Sequence, residues 1–144
     1  MSSYGPPEHV FVENEWYDGP RAGVANVGGR LHRFVSQWDE EADDYLGTFL
    51  VWPIDADEAA LEQEQWQIFV HWNDQYEAGA VGSDSHPGHP GANKRWDEIA
   101  SQLAAQRKSV PPFARRAKAQ MLPLEQLPRY ALSGPSYRLA WCIL

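Results

Sequence analysis

The sequence predicts a single α+β domain, residues 1–144, in which an N-terminal antiparallel β-meander packs against two helices and one or two C-terminal strands join the sheet. Three observations lead there. Short β-rich runs punctuated by Gly, Pro and Asp fill residues 9–52; the hydrophobic period becomes helical after Asp55; and an apolar run returns at residues 137–144. A chain of 144 residues leaves room for one domain and buries roughly two-thirds of its unfolded surface, so a core needs neither metal nor disulfide. The single cysteine, Cys142, has no partner for an internal bridge.

The first ten residues, with Gly5-Pro6-Pro7, read as a loose lead-in. Residues 9–16 form a strand carrying Val10, Phe11, Val12 and Trp16, broken by Asp18-Gly19-Pro20. Residues 23–27 are short and β-like, Gly28-Gly29 suits a primed two-residue turn, and residues 31–38 make the return strand. Acids at residues 39–44 give a solvated loop. Residues 45–52 are a nearly all-apolar strand that stops before Pro53.

Residues 57–78 are the most strongly marked element. Asp55 and Glu58 fit a capping box, and Leu61, Ile68, Phe69, Trp72 and Tyr76 fall at helical spacing as one apolar stripe, widened by Trp66 and Val70. Gly79 is placed to end the helix. Residues 83–91 are a Pro/Gly loop, and a second helix spans residues 92–108 with Trp96, Ile99 and Leu103 inward. Residues 113–124 fit a strand with alternating small and cationic residues or an Ala/Arg helix. Residues 137–144 are a final strand.

The charge is unevenly placed. The formal net is −8, yet residues 1–84 hold 17 acidic and 3 basic side chains while residues 85–144 hold 3 acidic and 9 basic ones. The simple account is that the halves face each other within one fold. The sharper one is that the stretch from Arg107 to Lys118, five cations and no acid, receives an acidic partner. The overall acidity argues against generic nucleic-acid or anionic-membrane binding. The start lacks a basic and apolar leader, and no apolar run approaches the roughly 20 residues that span a bilayer, so a cytoplasmic location is expected.

Tyr17-Asp18-Gly19-Pro20-Arg21 sets a phenol, a carboxylate and a guanidinium on one bend. Arg21 is there to hold a carboxylate or phosphate bidentately, or else the turn is self-contained. His71, beside Trp72 and near Asp74, is a candidate base if partly buried. His86 and His89 lie in a loop that fixes no common point for a metal, and neither a metal site nor a cofactor is expected. Cys142 reads as buried and inert, and no phosphate-binding glycine motif or nucleophile elbow occurs.

The run Trp16-Tyr17-Asp18-Gly19-Pro20-Arg21-Ala22-Gly23-Val24-Ala25 resembles the opening of a family of small bacterial proteins of unknown function. In that family a strand, an acidic helix with paired tryptophans and a His-Pro loop follow; here the matching pieces are residues 47–54, 64–76 and 85–87. The resemblance covers about residues 10–108 and implies a bacterial, cytoplasmic, single-domain protein with no activity attached.

Three functions fit. The leading one is a non-catalytic interaction protein, immunity-like in profile, that recognises a protein partner through aromatic and acidic surface. The second is a small-molecule-binding protein or enzyme with a pocket between the sheet and the tryptophan-rich helix, where Arg21, Tyr17 and His71 supply polar contacts. The third is a nucleic-acid adaptor using residues 107–118. Tyr17, Asp18, Arg21, Trp66 and His71 are the candidate binding residues, and no catalytic residue is named.

Overall fold

The computed structural model describes residues 3–144; Met1 and Ser2, the start of the expected lead-in, lie outside it. The elements run β1 (Pro7–Trp16), β2 (Pro20–Val27), β3 (Arg30–Asp39), β4 (Asp44–Pro53), α1 (Ala56–Glu77), a single 3-10 turn (Ser83–Ser85), α2 (Lys94–Lys108), β5 (Arg115–Pro123), β6 (Tyr130–Ala131), β7 (Gly134–Pro135) and β8 (Tyr137–Ile143). The α+β class and the meander hold, and residues 113–122 resolve as strand for the most part. The sheet differs from the expected open one: it closes into an antiparallel barrel ordered β1-β2-β3-β4-β5-β8. Closure comes from the residues read as lead-in. Pro7, Glu8 and His9 pair with Ala140, Leu139 and Arg138, and the Gly5 amide donates to the Trp141 carbonyl at 2.8 Å. A closed ring leaves no unpaired strand edge among the six.

Strand alternation then sorts the side chains. Val10, Ala25, Phe34, Phe49, Val51, Ala117, Leu139 and Trp141 fill the barrel. The register of β1 shifts between Val10 and Val12, and Val12 and Val24 pack outside with Trp66 and Val70 of α1. Gly23 sits where the wall is thinnest: a Cβ there would lie 2.1 Å from the Val12 carbonyl oxygen and 2.8 Å from the Phe34 ring. The Gly28-Gly29 turn has φ of 60° and 77°, as a primed hairpin turn requires, and the Glu8 carboxylate accepts both amides at 2.9 and 2.7 Å.

Helix α1 is capped as expected at Asp55, which accepts the Glu58 amide at 2.8 Å, but Glu58 does not reach back; its carboxylate takes Arg33 instead. At the other end Gly79 (φ 76°) and the Ala80 amide, which donates to Gln75, close the helix in a left-handed turn. The buried face is also not the expected stripe. Ala59, Glu62, Gln65, Trp66 and Val70 are buried, whereas Leu61, Ile68, Phe69 and Trp72 are half-buried and Tyr76 is exposed. Helix α2 packs on α1 with Ile99 and Leu103 inward, as their spacing indicates. Among the described residues no helix is long and apolar enough to cross a membrane.

Candidate functional site

Two places combine aromatic surface with charge. One is a cleft of about 450 Å³ between the end of β1, α1, α2 and the loop after the 3-10 turn. At its base Glu62 projects from α1 and is fully buried. An isolated carboxylate there would be prohibitively costly, and four donors offset that cost. Its Oε1 accepts from Asn14 Nδ2 at 3.1 Å and Arg107 Nη2 at 2.6 Å, and its Oε2 accepts from Arg107 Nε at 3.1 Å and Arg33 Nη1 at 2.6 Å. Burial pushes the carboxyl up, but the Arg107 hydrogen bonds and the two guanidinium charges more than reverse it and hold it below the usual carboxylate range. Gln65 accepts from Arg107 at 2.6 Å and donates to the Trp96 carbonyl at 3.1 Å, so it joins the two helices.

The walls are rings. Trp66 is 5.6 Å from Phe69 and 5.8 Å from Tyr130, and Trp96 lies 6.2 Å from His86. Trp66 is anchored by donating its indole N–H to the Ala131 carbonyl at 2.7 Å. Trp16 and Glu13 close the open side. The Arg129 guanidinium lies 4.6 Å over Trp16 and 4.5 Å over Tyr130 while donating to Glu13 at 2.8 and 3.0 Å. Glu13 also accepts from the Tyr137 hydroxyl at 2.9 Å; burial and the Glu13 charge raise that phenol far above its ordinary range, so it stays a donor.

The second place is the barrel end formed by the β1–β2 and β3–β4 turns. Trp38 meets Tyr45 edge-on at 4.8 Å, and Tyr17 lies 6.2 Å from the same ring. Tyr17 is 68% exposed, Trp38 47%, Leu46 51% and neighbouring Trp16 43%, a concentration of apolar rings that water alone does not favour. Asp18, Asp39, Glu40, Glu41, Asp43 and Asp44 occupy the same two turns.

The sequence-derived residues thus separate. Trp66 lines the cleft. Tyr17, Asp18 and Arg21 belong to the barrel end, and His71 is exposed on α1. None of Arg21, Tyr17 and His71 lines the cleft beside the helix. Arg21 is engaged by the turn itself: Nε donates to the Tyr17 carbonyl at 2.8 Å, Nη2 to the Asp18 carbonyl at 3.4 Å, and its carbon sits 3.8 Å over the Tyr45 ring. Asp18, at φ 53°, makes the bend. Glu62, Gln65 and Trp96 are not among the sequence-derived site residues, and Arg107 is there only as the start of the cationic stretch. Their signal was a carboxylate and an amide one turn apart on a helix otherwise able to bury apolar groups. Among the described residues no three His, Cys, Asp or Glu side chains are grouped to hold a metal ion.

No family model, curated protein or solved structure matches the chain.

Proposed function

We propose that the protein is a non-catalytic binding protein that recognises a cationic protein partner through the acidic, aromatic end of its barrel. An immunity-like role, in which this face covers a basic toxin, is the concrete form of that reading. The observation that carries it is the exposed Tyr17–Trp38–Leu46 cluster bordered by six carboxylates. Aromatic residues are the usual anchors of protein interfaces, and a ring of one charge speeds the approach of a partner of the other sign. Arg21 contributes by rigidifying the turn that presents Tyr17, so little order has to be gained on binding.

The adaptor reading loses ground on one specific point. Arg107 is committed to Glu62, and the cations left on the surface are Lys108, Arg115, Arg116 and Lys118, with Arg116 also donating to Gln37.

The test is affinity capture from the native host, run in parallel with wild-type chain and a Trp38→Ala/Tyr17→Ala double variant. A stoichiometric basic partner retained by wild type, released by raised salt and lost by at least tenfold with the double variant is the expected result. No stoichiometric partner, or one indifferent to both substitutions, overturns the proposal.

A further inference from the structure

The cleft beside α1 has a polar character of its own. Its interior acceptors are saturated: each Glu62 oxygen already accepts two hydrogen bonds, and the Gln65 oxygen faces Arg107. Its donors are not. Arg107 uses Nε and Nη2 on Glu62 and Gln65, which fixes the guanidinium plane and leaves the two N–H groups of Nη1 without a partner among the described residues. His86 accepts the Gly88 amide on Nδ1 at 2.8 Å, so its neutral ring carries the proton on Nε2, again a donor. Burial and the nearby His89 keep that ring neutral by lowering its pKa. Around these donors stand flat aromatic walls; of the other acceptors in the lining, Glu13 is engaged by Arg129 and Tyr137, and Asn14 and Glu15 are exposed at the rim.

We propose that this cleft is a binding site for a planar aromatic carboxylate, its ring against Trp66, Phe69 and Trp96 and its carboxylate accepting from the unpartnered Nη1 of Arg107. The volume, about 450 Å³, suits a two-ring compound, within the range of pockets that enclose small ligands. A guanidinium N–H donates to a carboxylate oxygen in the plane of the group, and a guanidinium already oriented by a buried carboxylate loses little freedom when it does so. Aromatic walls alone would also take an organic cation. The Nη1 donors of Arg107 and the Nε2 donor of His86, with Glu62 and Glu13 already engaged by guanidiniums, decide against one. The site is separate from the barrel end and does not depend on a protein partner there.

The experiment titrates isotopically labelled full-length protein with 2-naphthoate, its neutral analogue 2-naphthamide and the cation 2-naphthylmethylammonium, following the tryptophan indole N–H resonances. Naphthoate should shift Trp66 and Trp96, leave Trp38 and Trp141 unmoved, and bind at least tenfold more tightly than the amide, with the ammonium weakest. Arg107→Lys keeps a cation beside Glu62 but removes the Nη1 donors, and should weaken naphthoate at least tenfold. Should that variant fail to fold, the ranking of the three ligands on wild type decides, together with His86→Ala, which removes the second donor and should weaken naphthoate several-fold. Absence of any Trp66 or Trp96 shift up to about 1 mM naphthoate, the scale of the weakest useful affinity, overturns the site. So does an ammonium that binds as tightly as the acid.

Discussion

At the scale of single residues, two positions are determined by what surrounds them rather than by their own propensities. Glu62 is a charge that only four converging donors make tolerable, and those donors arrive from β1, β3 and α2. No local pattern announces them. Gly23 is the opposite kind of constraint: it needs to be small because the β1 backbone and Phe34 occupy the space beside it. Its place in the Tyr-Asp-Gly-Pro-Arg-Ala-Gly run is therefore explained by packing, whereas Asp18 and Arg21 in the same run are explained by the turn. Gly23→Ala should destabilise the fold by about 3 kcal/mol or prevent folding, since a carbonyl oxygen 2.1 Å away belongs to a paired strand and has nowhere to go. Urea unfolding followed by near-UV circular dichroism measures this. A loss below about 1 kcal/mol would mean that β1 gives way easily.

At the scale of elements, β3, β4 and α1 are legible nearly to their ends because hydrophobic period, turn glycines and prolines are local signals, whereas the start of β1 reads as lead-in and β5 reads as strand or helix. The expected strand at residues 31–38 is Arg30–Asp39, that at 45–52 is Asp44–Pro53, and the helix at 57–78 is Ala56–Glu77. Which face of α1 is buried was not legible. The apolar stripe of Leu61, Ile68, Phe69, Trp72 and Tyr76, widened by Trp66 and Val70, leaves out Glu62 and Gln65, yet the salt bridges turn the face containing Glu62, Gln65, Trp66 and Val70 inward. Phe69 and Trp72 then serve the loop, where Trp72 meets His86 at 4.6 Å and donates to Ser85 at 2.9 Å. The start of α1 offers a direct test. Asp55 caps the helix alone because Glu58 is drawn to Arg33. Asp55→Ala should therefore cost about 1 kcal/mol, the ordinary worth of an N-cap, with no reserve from a reciprocal bond. A neutral result in urea titration would show that Glu58 swings back to fill the role.

At the scale of the whole molecule, the charge asymmetry read from the sequence is what joins the two halves. Glu62 pairs with Arg107, Glu64 with Arg95 and Glu13 with Arg129, each an acid of the first half against a base of the second. Barrel closure is a long-range fact of the same kind, β1 against β8, and no local spacing encodes it. Of the three links, that at Glu62 has a fully buried carboxylate and the Glu64–Arg95 pair is open to solvent, so acid should act chiefly through the first. The folded Glu62 carboxyl sits below its ordinary 4.5, so the unfolded chain takes up its proton first as the pH falls. Its contribution is complete above that value and is lost as the pH drops through the folded pKa. Glu62→Gln removes this titration and leaves two guanidiniums short of a counter-charge, at a cost of about 3 kcal/mol near pH 7. Urea midpoints of wild type and Glu62→Gln should therefore lie far apart at pH 7 and converge as the pH is lowered below the carboxylate range. A gap of unchanged size down to acid unfolding would show that the loss in the variant comes from geometry rather than from charge.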